Sequence, residues 1–246
     1  MQKVFLLVGA GLRCEHLNER AKEVIRNVEE VWVDVYTSPF PGGLKNCISR
    51  IRPDVKVATR EVLEGSFEFS DSVAIVVPGD PLAATAHAAL IVEAKKKGYE
   101  VKVFSNVSAL QAARSKSGLS QYRFGRVVTL MYPKEGIDFT ESVYYAIKDN
   151  DKLNLHTIVL LETGYGKDMT AQEASELLSK YEDLRDRKVL AMARLCWDDE
   201  LVVLTRLHKL KDIDMGRPPH LLVFPSPKLH PIEEEAMTSL SHVVSL

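Results

Sequence analysis

Val73-Ala-Ile-Val-Val77, Pro78-Gly79-Asp80-Pro81, Leu82-Ala-Ala-Thr-Ala-His-Ala-Ala-Leu90 is the stretch on which the reading of the fold turns. Five apolar, mostly β-branched residues in a row predict a strand buried on both faces, as in a parallel sheet. Pro78 cannot donate to a ladder and Gly79 permits a tight reversal, so the strand stops there. Asp80 is placed to cap a following helix, and Pro81 suits a first helical position. Alanines at 83, 84, 86, 88 and 89 predict a helix whose backbone another surface can approach closely. Ligands of open α/β sheets lie beyond the carboxyl ends of the strands, so this junction is the first place to seek one. A tight strand-to-helix turn with Asp80 as a plain cap explains the same residues.

Working outward, strands and helices alternate through the first half of the chain. Lys3–Val8 predicts a strand ending at Gly9-Ala10-Gly11-Leu12. Asn18 is a plausible cap for a helix with Ala21, Val24, Ile25 and Val28 on one face. Val31–Val35 and Val55–Ala58 are further strands, with a helix over Leu44–Ile51 between them. The central helix is expected to run to about Lys97. Glu100–Ser105 is the next strand and Val107–Arg114 the next helix; Thr59–Ser70 is polar and ambiguous. This alternation predicts a mainly parallel sheet.

Ser115–Phe124 breaks the rhythm, and a domain boundary is placed there. The expected organisation is an α/β domain over residues 1–114, a linker over 115–125 and a mixed α/β domain over 126–246. In the second domain, Arg126–Met131, His156–Leu161, Lys188–Arg194, Glu200–Leu204 and His220–Phe224 predict strands. Glu162-Thr163-Gly164-Tyr165-Gly166 closes the second of these, and Asp198-Asp199 reads as a hairpin turn. Helices are expected over Thr140–Ile147, after the capping box Thr170-Ala-Gln-Glu173, and over Ile232–Leu240.

The 246 residues carry a net charge of −2 with no block of like charges, which argues against a nucleic-acid binder working through a strong basic field. Cys14, Cys47 and Cys196 are widely spaced and odd in number. They support neither a disulfide framework nor a zinc ribbon, and they point to a reducing, cytoplasmic compartment. No apolar run is long enough to span a bilayer. The seven histidines show no metal-ligand spacing, so no metal is expected. His87, within the alanine-rich helix, reads as a buried hydrogen-bonded residue. His220, at a strand start behind two prolines, is better placed to line a cleft. Gly9-Ala10-Gly11 after a strand, with Asp34 ending the next, allows a dinucleotide-binding reading in which Asp34 binds a ribose. Cys14 stands where that fingerprint needs its third glycine.

The ordered pieces Gly9-Ala10-Gly11-Leu12, Tyr36-Thr37-Ser38, Pro78-Gly79-Asp80-Pro81-Leu82 with Ala84-Thr85 and His87, Ser108, Tyr122-Arg123-Phe124-Gly125, Tyr132-Pro133, Leu155-His156-Thr157, Pro218-Pro219-His220 and Lys228-Leu229-His230 resemble the diphthine synthases. These belong to the tetrapyrrole-methylase class of S-adenosylmethionine-dependent methyltransferases, and the resemblance spans essentially the whole chain. It implies a two-domain fold, N-terminal sheet mainly parallel and C-terminal sheet mixed, with the cofactor in the cleft between the domains. It also implies a homodimer, and methylation of the amino group of a modified histidine on translation elongation factor 2, on the way to diphthamide. Neither membrane nor direct nucleic-acid partners are implied. By position, Leu12, Asp80, Ala83, Ser108, Ala109, Leu161, Leu195 and His220 are expected around S-adenosylmethionine. Ala83 and Ala109 are smaller than the aliphatics common there, and Leu195 is larger than the usual alanine. No catalytic residue is assigned. Three rivals stay open: the same class acting on a tetrapyrrole or ribosomal RNA, an NAD-dependent oxidoreductase, and a non-catalytic nucleotide-binding regulator.

Overall fold

The structure is a computed structural model, and it describes residues 3–64, 68–164, 167–244 and 246. Tyr165-Gly166 and part of the ambiguous 59–70 stretch lie outside the described residues. The chain divides into two compact units, Met1–Ala109 and Leu110–Leu246.

In the first unit, the strands β1 (Val4–Gly9), β2 (Glu30–Asp34), β3 (Lys56–Ala58), β4 (Ser72–Val77) and β5 (Glu100–Phe104) form one parallel sheet in the order β3-β2-β4-β1-β5. β4 is the apolar run of the opening stretch, and Val73 to Val77 are all fully buried. Alternation along β1 separates two layers. Leu6 and Val8 pack with α1 (Glu19–Asn27) and α2 (Leu44–Ser49), while Phe5 and Leu7 pack with α3 (Arg60–Glu64) and α4 (Ala88–Lys96). Asn18 caps α1 as expected, its Oδ1 accepting from the Ala21 N–H at 2.8 Å.

Two expectations fail in this unit. The helix after β4 does not start at Pro81. Ala84 is in the left-handed region with φ of 57°, and Thr85 Oγ1 donates to the Pro81 carbonyl, so residues 81–87 form turns and α4 begins only at Ala88. Alanine propensity is outweighed by where the Asp80 carboxylate is tied, as described below. The second failure concerns the cysteines: Cys14 and Cys47 form a disulfide. They are 33 residues apart in sequence, but the turn after β1 folds against α2. Sequence spacing carries no information about such a contact.

In the second unit, the strands β6 (Val128–Leu130), β7 (Thr157–Leu161), β8 (Lys188–Ala193), β9 (Leu201–Arg206), β10 (His220–Phe224) and β11 (His242–Val243) form a mixed sheet in the order β11-β9-β8-β10-β7-β6. β8 pairs antiparallel with β9 and β10, and β10 with β7, whereas β6–β7 and β9–β11 are parallel. The helix α5 (Ala109–Lys116) leads into this unit. α6 (Thr140–Lys152) and α7 (Ala171–Leu178) cover the sheet with Val143, Ala146, Ile147, Ala171, Ala174 and Leu178. α8 (Glu182–Arg185) and α9 (Pro231–Ser239) follow, and Thr170 with Glu173 forms the capping box read from the sequence.

Of residues 115–125, expected as a linker, Ser115 and Lys116 belong to α5, and Ser120 and Arg123 are tied into this unit by one buried carboxylate. Glu233, near the start of α9, accepts from Ser120 N–H at 2.9 Å, pairs with the Arg123 guanidinium and meets His156 Nε2 at 3.0 Å. Burial works to raise the Glu233 pKa, but hydrogen bonds from the His230 and Ser120 N–H groups and from His156 prevail and bring it down to about 2. Among the described residues, no helix is long and apolar enough to cross a membrane.

Candidate functional site

At the carboxyl edge of the first sheet, β1 lies between β4 and β5, so the loops leaving these three strands are neighbours. The loops after β1 and β4 are joined backbone to backbone. Gly11 N–H donates to the Gly79 carbonyl at 3.0 Å, and Gly79 N–H to the Gly11 carbonyl at 2.7 Å. Both glycines have φ near 70°, which the absence of a side chain makes accessible. Gly9 is required by space instead, because a Cβ there would stand 2.6 Å from the Gly79 oxygen.

Asp80 joins the β4 loop to the β5 loop. One carboxylate oxygen accepts from Leu82 N–H at 3.0 Å, and the other from Asn106 N–H at 3.1 Å. The carboxylate thus closes a local turn and ties two loops across the end of β1, which is why it does not serve as a simple helix cap. It stays half-exposed, as do Leu12, Ala83, Ser108 and Ala109. The first unit therefore brings Leu12, Asp80 and Ser108 onto one sheet edge, with Ala83 in the loop after β4 and Ala109 at the start of α5 beside them. The arrangement offers one anionic group among small apolar and backbone groups.

The structure contradicts the ribose role considered for Asp34. Its side chain is fully buried and its oxygens accept from Tyr36 N–H, Thr37 N–H, Thr37 Oγ1–H and His87 Nε2–H. Burial pushes its pKa up, but these bonds outweigh it and hold the carboxyl below the usual range. The Asp34–His87 pair anchors the Tyr36-Thr37 turn and is turned inward. His87 is buried and hydrogen-bonded, as its sequence context indicated.

In the second unit, register gathers the other three residues. His220 opposes Ala193, and Leu221 opposes Leu160, so Leu161, Leu195 and His220 cluster at one end of the mixed sheet. All three are buried. His220 Nδ1 accepts from Ala171 N–H at 3.0 Å, and its Nε2–H faces the Arg217 carbonyl at 3.1 Å. Both ring nitrogens are therefore engaged by the chain. Burial first, and then the Arg194 charge, lower the His220 pKa to about 4, so the ring is neutral.

Sequence reading missed the residues that hold these loops. Arg194, buried and with φ of 50°, donates to the carbonyls of Met215, Arg217 and Asp199 and pairs with the Asp199 carboxylate. His16 Nδ1 accepts from Leu12 N–H at 3.1 Å. Asn106 reaches both the β1 and the β4 loops. Asn106 follows a strand end, where asparagine is common for many reasons, so nothing local marks it.

Comparison with known proteins decides among the rival readings. Residues 4–211 match the model of the Tetrapyrrole (Corrin/Porphyrin) Methylases. A diphthine synthase of Methanopyrus kandleri is 38% identical, the alignment covering 93% of this chain and 92% of that one. A diphthine synthase of Sulfurisphaera tokodaii is 37% identical over 95% and 97%. A crystal structure of diphthine synthase superposes with a TM-score of 0.90 at 29% identity, covering 98% of this chain and 97% of that one. The chain belongs to the diphthine synthases, within the tetrapyrrole methylases. It is a methyltransferase of a family that uses S-adenosylmethionine. Membership in the diphthine synthases sets aside the oxidoreductase and regulator readings, and the inward-facing Asp34 agrees with it.

Proposed function

We propose that this diphthine synthase family member binds S-adenosylmethionine at the carboxyl edge of its first sheet. We propose further that it methylates the amino group of the modified histidine of translation elongation factor 2. The observation that carries the reading is the Asp80 corner, a half-exposed carboxylate held by two backbone N–H groups beside Leu12 and Ser108.

The residues fit the cofactor. A sulfonium cation finds its electrostatic partner in Asp80, and an adenosyl group finds apolar surface in Leu12, Ala83 and Ala109 with polar contacts near Ser108. Leu161, Leu195 and His220 are proposed as further cofactor contacts; since both His220 nitrogens are engaged, its part is that of a neutral, fixed wall. When bound, S-adenosylmethionine supplies an activated methyl group to a nucleophilic nitrogen. The chain's own share is binding and alignment. Asp80 and the joined glycine loops are held by backbone bonds before any ligand arrives, so little reorganisation accompanies binding. A homodimer acting in the cytoplasm, where its acceptor works, is part of the proposal, and sedimentation of the purified chain reads the dimer.

The test is transfer of label from methyl-labelled S-adenosylmethionine to a panel of acceptors: elongation factor 2 bearing the unmethylated precursor, unmodified elongation factor 2, a tetrapyrrole and ribosomal RNA. Label on the precursor-bearing factor alone is the expected result. Label on the tetrapyrrole or the RNA would replace the proposed acceptor.

A further inference from the structure

Asn106 is half-buried at the exit of β5 and makes four hydrogen bonds that converge on the three loops of the first sheet's carboxyl edge. Its Nδ2 donates to the Gly9 carbonyl and to the His16 carbonyl, both at 3.0 Å. Its backbone N–H donates to Asp80. Its Oδ1 accepts from Val107 N–H at 2.8 Å, which sets the backbone just before Ser108. The two side-chain donations span 97 and 90 residues of sequence, so no local turn replaces them. The fit is also steric, since a Cβ on Gly9 would meet the Asn106 Cβ at 3.1 Å.

We propose that Asn106 is the positioning residue of the methyl-donor site. Its side-chain amide fixes the β1 loop that carries Leu12, while its backbone orients the Asp80 carboxylate. The proposal rests on the donor-binding reading above and adds to it the residue on which the loop geometry depends. Only an amide does both jobs. Two N–H donors satisfy two carbonyls on one side, and one oxygen takes the Val107 N–H on the other. Aspartate is isosteric, but it would turn lone pairs toward two carbonyl oxygens and add a second anion beside Asp80. Alanine would leave both carbonyls without this donor.

The test combines hydrogen exchange on the free chain with donor binding and kinetics for wild type, Asn106→Ala and Asn106→Asp. In the wild type, the Asn106 side-chain amide hydrogens should be protected from exchange. In the variants, the Gly11 and Gly79 amides should exchange at least about tenfold faster, while amides within β1 and β4 keep their protection. The dissociation constant and KM for S-adenosylmethionine should rise by about tenfold or more, with kcat at saturating donor and acceptor KM within about twofold of wild type. A purely structural role would instead lower protection throughout the unit and move all kinetic constants together, which would overturn the proposal. So would unchanged donor affinity in both variants, or unprotected Asn106 side-chain hydrogens in the wild type, a readout that needs no variant to fold. Failure of the wild type to take up donor would overturn the donor-site reading itself, and it shows in the wild-type arm alone.

Discussion

Asp80 and His220 were both expected near the cofactor, and the structure gives them opposite electrostatic characters. Asp80 is a half-exposed anion tied by two backbone N–H groups. Asp80→Asn removes the charge that the proposed sulfonium contact requires, and it also turns an amide NH2 toward one of the two backbone N–H groups that the carboxylate accepts from. Charged hydrogen-bond partners contribute about 1.5–3 kcal/mol, so donor affinity measured by calorimetry should fall by about 10- to 100-fold, and the lost N–H acceptor should lower the melting temperature as well. His220 is a buried neutral ring whose pKa lies near 4 rather than 6.5. The unfolded chain takes up this proton below pH 6.5 and the folded chain only near pH 4. Between these values the unfolded state binds more protons, and stability falls as pH falls. Denaturant titrations from pH 7 to pH 4 should show that loss in the wild type and a shallower one in His220→Gln. An identical slope in both would assign the effect elsewhere. The strand end that presents His220 was legible in Pro218-Pro219-His220. Its bond to Ala171 spans 49 residues and was not.

At the scale of elements, β4 was legible because five apolar residues leave a strand no exposed face, and α1 was legible from Asn18 and a helical apolar stripe. The start of α4 was not. Local rules made Asp80 a cap, but its second oxygen is claimed by Asn106 from another strand's loop, and Ala84 takes a left-handed conformation. The same blindness hid α9's anchoring role. Glu233 stands in the run Glu233-Glu234-Glu235, where local sequence does not single it out, and it is buried among Arg123, His156 and the Ser120 N–H. Glu233→Gln leaves the Arg123 charge without its partner inside the unit. Breaking a buried pair from one side costs about 3–5 kcal/mol, which urea unfolding should report as a lower midpoint with an unchanged slope. A loss under 1 kcal/mol would mean that the network is dispensable.

For the whole molecule, the two sheet types followed from the change of rhythm along the sequence. The parallel first unit and the mixed second unit match that expectation, as does the family to which the chain belongs. What spacing could not supply was the covalent link between Cys14 and Cys47. It closes 33 residues and ties the turn that follows Leu12 to α2. Loop-closure entropy for that length amounts to about 3–4 kcal/mol. The double replacement Cys14→Ser and Cys47→Ser should therefore lower the thermal midpoint, and a reductant should lower the wild-type midpoint toward that of the double variant. A midpoint indifferent to reductant would show that the bridge contributes nothing.

The proposed function stands or falls with the location of the donor. Titrating isotope-labelled chain with S-adenosylmethionine and following backbone amide resonances tests it most directly. The expected result is saturable shifts concentrated at Gly11, Leu12, Gly79, Asp80 and Ser108. Saturable shifts confined to other parts of the chain, with these five unmoved, would contradict it.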